Sequence, residues 1–397
     1  MKDVLYQFNP WWETSFKTET MNRDRYIRQL KAEMDTRDIV FLTGLRRVGK
    51  TTIMHQLIEH LLENTDASKI LYTSLEHPQF LRYTLLDILK EYRSAHGLER
   101  KEKVYLFFDE IHMKEGFERD LKVLYDMENV KIFVSGSSSL VMRHDGSFLT
   151  GRYRRIGVEP FSFTEFLRFK GLNIKESEAY LYETHLHDYM KTGGMPEYVQ
   201  RRDPKYLLEM MESIIYKDIV ARYHLRNPEV LKTLLLLLAE RVGKKTTYNK
   251  LSKILGVASD TVKQYISYFE ETFLLYQVPK CARSLNERVY SPKKIYFADV
   301  GMKNVITGFK DIGSVAENLV FLKLKQEGDV CYSYSNGREV DFIQGDTAIE
   351  VKFKEDIEHR ELDALQGAET KRKLLISKKQ ERIPGIESIS LSDFLKA

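Results

Sequence analysis

The sequence predicts an α/β chain: a parallel sheet wrapped by helices comes first, a helical stretch follows, and a smaller α/β module closes. Three stretches carry that expectation: FLTGLRRVGKTTIMHQL at 41–57, VYLFFDEIH at 104–112 and VCYSYSNGREVDFIQGDTAIEVKFKE at 330–355. In the first, an apolar run from Ile39 to Leu42 leads into Gly44, and the spacing from Gly44 to Gly49-Lys50-Thr51 fits the strand, glycine-rich turn and helix of a P-loop. Backbone N–H groups across Gly44, Leu45, Arg46, Arg47, Val48 and Gly49, with the start of the helix carrying Thr52, would cradle the phosphates of ATP. Lys50 would reach the β- and γ-phosphates, and Thr51 would hold Mg2+.

After the loop, TTIMHQLIEHLL has helical apolar spacing and KILYTSL at 69–75 reads as a second strand. VYLFFDEIH is the third: four apolar or aromatic residues end in Asp109 and Glu110, as in a Walker B strand. There the aspartate coordinates Mg2+ through water and the glutamate polarises the attacking water. A fourth strand, VKIFVSG at 130–136, ends in Ser135, followed by Gly136, Ser137, Ser138 and Ser139, whose polar groups could sense the γ-phosphate. A strand between loop and Walker B, and a glutamate after the aspartate, favour an AAA-type ATPase over a small GTPase. No NKxD-like guanine-reading tetrapeptide occurs; NKLS at 249–252 lacks the aspartate.

With 397 residues, 43% hydrophobic and 12% aromatic, the chain can bury sizeable cores in two or three domains. A formal charge of +4 permits nucleic acid as a partner without requiring it. Cys281 and Cys331 lie far from any CxxC spacing, which points to a reducing compartment without disulfides or a zinc site. The longest strongly apolar run, Leu234–Ala239, is too short to cross a bilayer, and MKDVLYQFNPWW lacks a signal-peptide core. The expectation is a cytoplasmic protein without a membrane partner.

From Met190 to about Arg241 the chain reads as a helical lid, with TGGMPEYV as a turn and PEVLKTLLLLLAERVG as a buried helix. Residues 246–279 read as a helix-turn-helix: one helix bears Leu251, Ile254 and Leu255, Gly256 turns, and Ser259 caps a second helix with Val262, Ile266 and Phe269 inward. Lys263, Gln264 and Ser267 would face outward toward phosphates or base edges, and the following FLLYQVPKCARSLNERVYSPKKIYFAD would form a basic wing. The alternative is that this winged unit belongs to the lid or to a protein contact.

In the third stretch, Asn336-Gly337 and QGDT are turn signals, so three short antiparallel strands follow one another. Period-two geometry sets Glu350 and Lys352 on one face, with Asp341 across the hairpin. GSVAENLVFLKLKQEG upstream is a helix bearing Glu317; downstream, ELDALQGAE reads as a helix and KRKLLISKK as a strand. Glu317, Asp341 and Glu350-x-Lys352 in an α-β-β-β-α-β order resemble the PD-(D/E)XK nuclease core. That resemblance implies Asp341 and Glu350 on Mg2+, Lys352 orienting or activating water, and Glu317 completing the metal environment. Such modules also persist as nonhydrolytic grips on DNA or protein.

GLRRVGKTT, FFDEIH, SGSSS, LTGRYRRIGVEPFSFTEF and GGMPEYV, in this order, resemble the prokaryotic AAA-family ATPases that carry a C-terminal domain of unknown function. The resemblance spans nearly the whole chain. It implies that Arg152, after TG, reaches nucleotide phosphate as an arginine finger or sensor; acting in trans it would require a homo-oligomer. The expected modules are an AAA-type P-loop ATPase at 1–165, a helical lid with winged helix at 166–300 and a PD-(D/E)XK-like domain at 301–397. Two functions follow: an ATP-driven enzyme acting on DNA with a metal-dependent nuclease, or an ATP-dependent switch that binds DNA or protein and cuts nothing. A small-molecule kinase is disfavoured by Glu110 and the long C-terminal half. The tryptophans of NPWWETSF are assigned to packing.

Overall fold

The apolar runs at 39–44, 70–74, 104–109 and 130–136 become four parallel strands, as expected for segments buried on both faces. The computed structural model describes residues 1–136, 149–335 and 337–397, so Ser137, Ser138, Ser139 and Asn336 lie outside the described residues. The chain packs as two compact units, Met1–Glu159 and Pro160–Ala397. The second unit includes both the 166–300 and the 301–397 stretches.

In the first unit the strands are β1 (Ile39–Gly44), β2 (Ile70–Ser74), β3 (Val104–Asp109), β4 (Val130–Gly136) and β5 (Tyr153–Val158), in the order β2-β3-β4-β1-β5. All pairings are parallel, so the end of β1 that feeds the glycine-rich loop and the end of β3 that carries Asp109 share one edge, with β4 between them. β5 is an edge strand, and Arg154 and Arg155 on it are exposed, which discourages further strand pairing. The opposite edge, β2, is covered by the N-terminal segment. The Asn9 side chain donates to Tyr72 O at 2.9 Å and accepts from Tyr72 N at 2.6 Å, pairing as a peptide would. Trp11 and Trp12 both donate Nε1–H to Ile70 O, at 3.3 and 3.0 Å.

In the second unit the helix Pro228–Ala239 buries Leu231, Leu234, Leu235 and Leu238. The helices Tyr248–Leu255 and Ser259–Glu271 meet at Gly256, which adopts φ 67°. Val262, Ile266 and Phe269 are fully buried, as expected, whereas Ile254 is 51% exposed. Ser259 is the first helical residue and not the cap; Ala258 takes that position, with no side-chain hydrogen bond. β6 (Leu275–Val278) and β7 (Lys294–Phe297) pair antiparallel after the second helix, and the connection between them holds a short helix, Leu285–Tyr290.

The last sheet has the order β12-β11-β10-β9-β8, formed by β8 (Cys331–Ser335), β9 (Arg338–Gln344), β10 (Thr347–Lys352), β11 (Arg372–Ser377) and β12 (Glu387–Ser390). β8, β9 and β10 are antiparallel and β10, β11 and β12 parallel. ELDALQGAE does not make the expected single helix: a 3-10 turn at His359–Leu362 runs into one helical turn at Asp363–Gln366.

Cys281 and Cys331, 50 residues apart, form a disulfide. This corrects the disulfide-free expectation and withdraws the reducing-compartment argument drawn from it. The spacing in sequence carried no signal, because the pair is made by a parallel bridge between Lys280 and Tyr332 with Cys281 N donating to Tyr332 O at 2.8 Å. Among the described residues no helix is long and apolar enough to cross a membrane.

The GGMPEYV turn has a buried reason. Asp299, 2% exposed, accepts hydrogen bonds from Gly194 N at 2.6 Å and Met302 N at 3.2 Å, and also from the N–H groups of Met195 and Gly301. A Cβ on Gly193, at φ 70°, would meet Asp299 Oδ1 at 2.3 Å, so the close approach requires glycine.

Candidate functional site

The first candidate site forms where β1, β3 and β4 end. Gly44 must lack a side chain, because a Cβ there would meet Val158 O at 2.2 Å. The loop then turns through Arg47, at φ 64°, and Gly49, at φ 97°, into the helix Lys50–Leu62. Leu45 and Val48 are buried and anchor the loop, Arg46 and Gly49 are half-buried, and Arg47 is exposed. Lys50 is 7% exposed, with Nζ donating to Gly44 O at 3.1 Å and Leu45 O at 3.0 Å. Thr51 and Thr52 lie in the first helical turn.

Asp109 collects the donors. Thr51 Oγ1 donates to its Oδ2 at 2.6 Å, Tyr72 OH donates to the same oxygen at 2.9 Å, and Ser135 Oγ donates to Oδ1. Burial and the neighbouring Asp109 push the Tyr72 phenol well above its ordinary value, so it remains a donor. Ser135 also accepts from Glu110 N at 3.0 Å, which ties the acidic pair to β4. Glu110 sits in the left-handed region at φ 53°, and its carboxylate lies 3.1 Å from His112 Nδ1. Burial raises its pKa, but His112, Lys50 and Arg46 outweigh this and hold it below the ordinary carboxylate range. Glu110 is therefore ionised at neutral pH.

The Thr51 hydroxyl and Asp109 carboxylate at 2.6 Å are hard oxygen donors at the mouth of a phosphate loop, a set that fits Mg2+. Sequence reasoning missed Tyr72 and Arg23. The Arg23 guanidinium, 2% exposed by residue, donates to Val48 O at 3.2 Å and Glu159 O at 3.0 Å, clamping the loop to the end of β5. A buried arginine 21 residues upstream of Gly44 has no local sequence signal.

Arg152 stands elsewhere. Its carbonyl accepts from Ile39 N, at the start of β1, while the loop leaves the other end. A strand of this length separates them by roughly 15–20 Å, farther than an arginine side chain reaches. Arg152 instead pairs with Asp126 at 3.6 Å and lies over the Tyr125 ring. Parallel pairing carries residues 39 and 152 to the edge away from the loop of the same chain.

The second candidate site lies on β9 and β10. Glu350 and Lys352 share a face as expected, with Lys352 Nζ 2.5 Å from Glu350 Oε1. Asp341 joins them: its N–H donates to Glu350 Oε2 at 3.3 Å, and its Oδ2 accepts from Val351 N at 3.0 Å. Glu317, on the helix Ile312–Leu324, is brought in by Lys294 of β7, whose Nζ is 2.9 Å from both Glu317 Oε1 and Asp341 Oδ1. Tyr296, two residues on, donates to Glu317 Oε1 at 2.5 Å.

Burial disfavours charge on Lys294, but Asp341, Glu317 and Glu339 outweigh it and hold the ammonium protonated. Burial and then Asp341 push Glu317 and Glu350 upward, while Lys294 and Lys352 hold Asp341 below its ordinary value against its burial. The expected Mg2+ site at Asp341 and Glu350 does not fit these contacts. Their oxygens already face lysine ammoniums and backbone N–H groups. Lys294 was the missed residue, and nothing local in the sequence marks it, since every residue of its strand is buried.

Residues 36–167 match the family model described as an AAA domain, and residues 183–312 match one described as a domain of unknown function (DUF8612). An uncharacterised protein of Haemophilus influenzae is 28% identical over 396 residues, covering 94% of this chain and 98% of its own length. An uncharacterised protein of Methanocaldococcus jannaschii, MJ1544, is 28% identical over 351 residues, covering 83% of this chain and 76% of its own. Among solved structures, the Aeropyrum pernix Orc1 protein in complex with DNA aligns with 76% of this chain and 95% of its own at a TM-score of 0.35 and 12% identity. AMPPCP-bound DnaA from Aquifex aeolicus aligns with 64% of this chain and 90% of its own at 0.29 and 16%. The AAA-domain match, the parallel sheet and the glycine-rich loop before the helix at Lys50 together assign residues 36–167 to the P-loop ATPase type.

Proposed function

We propose that the chain is an ATP-dependent switch: its first unit binds and hydrolyses ATP, and its second unit holds DNA without cutting it. The observation that carries the first half is the convergence of Thr51, Tyr72 and Ser135 on Asp109 beside Lys50. In this reading the loop N–H groups and Lys50 bind the β- and γ-phosphates, and Thr51 and Asp109 hold Mg2+. Bound there, Mg2+ would offset charge on the phosphate oxygens. Glu110, ionised and aimed from the adjacent position, orients and polarises the attacking water. Ser135 links Asp109 to the Glu110 backbone, so the two carboxylates move together.

DNA as the partner is supported by the helix Ser259–Glu271, on which Lys263 and Gln264 are exposed, and by the exposed Arg283 and Arg288 between β6 and β7. These groups suit phosphate contacts beside a helix that enters a groove. Holding without cutting is favoured over a nuclease by Lys294 among the C-terminal carboxylates. Arg152, far from its own loop, is assigned to a trans contact in a homo-oligomer.

The test measures ATP hydrolysis and the anisotropy of a labelled DNA duplex with ADP or a non-hydrolysable ATP analogue. Lys50→Ala is expected to weaken ATP binding at least about tenfold, to abolish turnover and to remove the nucleotide dependence of DNA binding. Lys263→Glu is expected to weaken DNA binding about tenfold and to leave basal ATP turnover unchanged. DNA affinity that is equal in every nucleotide state would sink the switch.

A further inference from the structure

Two of the carboxylates that a metal-dependent nuclease would use for its cation, Glu317 and Asp341, already share a cation of the protein's own, and the third, Glu350, faces Lys352. We propose that the Lys294 ammonium is a built-in counter-ion that closes the Glu317–Asp341–Glu350 site to divalent metal, leaving the C-terminal module unable to activate water on a metal. The inference deepens the reading above, because it supplies the reason why the second unit holds and does not cut.

An ammonium has three N–H donors, and Lys294 has three carboxylate partners: Glu317 at 2.9 Å, Asp341 at 2.9 Å and Glu339 at 2.7 Å. These are the lengths of charge-assisted hydrogen bonds. Mg2+ or Mn2+ among the same oxygens needs contacts near 2.0–2.2 Å and would have to displace Nζ. Lys294 has little room to leave: its side chain is 1% exposed, its backbone pairs with Val278, and Tyr332 and Phe342 flank its ammonium.

Neighbouring donors engage these carboxylates as well. Glu317 Oε1 accepts from Tyr296, Asp341 Oδ2 from Val351 N, Glu350 Oε2 from Asp341 N, and Glu350 Oε1 from Lys352. Glu339 Oε2 pairs with Lys245 at 2.8 Å. Four carboxylates thus face three ammonium groups, Lys245, Lys294 and Lys352, which removes most of the charge that would draw a dication. Lys352 at this position belongs to the expected nuclease pattern; Lys294, delivered from β7, does not, and it is the one that sits between Glu317 and Asp341.

The experiment uses the nucleotide-free full chain. Mn2+ binding is followed by electron paramagnetic resonance for wild type, Lys294→Met and Lys294→Met with Asp341→Asn. Wild type is expected to bind no Mn2+ at this site below millimolar concentration. Lys294→Met is expected to gain one site at least tenfold tighter, lost again on adding Asp341→Asn. If the methionine variant does not fold, iron-directed backbone cleavage of wild type decides: no cutting near residues 341–351 supports the proposal. Cutting there, or Mn2+ binding by wild type that Asp341→Asn abolishes, overturns it. The ATP-dependent DNA binding of the previous section is read separately, so either result stands without the other.

Discussion

Glu110→Gln is expected to lower ATP turnover by about 100-fold or more while leaving ATP affinity within a few fold. The glutamine keeps the shape of the side chain and the backbone bond from Glu110 N to Ser135, but it removes the charge that orients and polarises water. Thr51, Asp109 and Lys50 keep their contacts, which is why binding survives. Single-turnover hydrolysis measured alongside binding of a fluorescent ATP analogue separates the two effects. A variant that hydrolyses at the wild-type rate would remove Glu110 from the reaction. Because Lys50, His112 and Arg46 hold its pKa down against burial, an acid limb near pH 6 in wild-type turnover would have to come from another group.

Asp299→Ala is expected to destabilise the second unit by about 3 kcal/mol or more, since it leaves buried N–H groups without acceptors at roughly 1–3 kcal/mol each. The donors affected are those of Gly194, Met195, Gly301 and Met302. The cost depends on pH. Burial lifts the folded pKa of Asp299 from 3.8 to about 6 despite those donors, so the folded state keeps its proton to higher pH than the unfolded chain. The stabilisation from the neutral carboxyl is therefore complete below about pH 4, falls as pH rises toward 6 and is constant above. A shift of about two units corresponds to on the order of 3 kcal/mol, so the gap between wild type and Asp299→Ala is expected to shrink across that window. Hydrogen exchange at the Gly194 and Met302 amides, measured at pH 4 and pH 7, reads it directly. A gap that widens with pH would show that Asp299 is held ionised.

The contrast between the two candidate sites follows from chain distance. The phosphate loop, Thr51 and the acidic pair were readable because strand, turn and helix are contiguous and each carries its own local signal. β4 was readable to its ends at Val130 and Gly136 for the same reason. Glu350 and Lys352 followed from the two-residue period of a strand, and Asp341 from the hairpin. Lys294 did not, because it arrives from a strand 47 residues before Asp341 whose place beside the last sheet no periodicity encodes. The Cys281–Cys331 disulfide and the Asp299 clamp on Gly194 were hidden likewise.

Residue order alone specifies the loop that fits phosphate, the acidic end of β3 and the face on which each strand charge lies, since backbone geometry repeats over a few residues. Tertiary packing decided which charges meet: it carried Arg152 to the edge opposite the loop and set Lys294 among three carboxylates. Burial then gave those encounters their consequence, because in a dry interior the same carboxylates that would draw a metal in water are held by the nearest fixed cation.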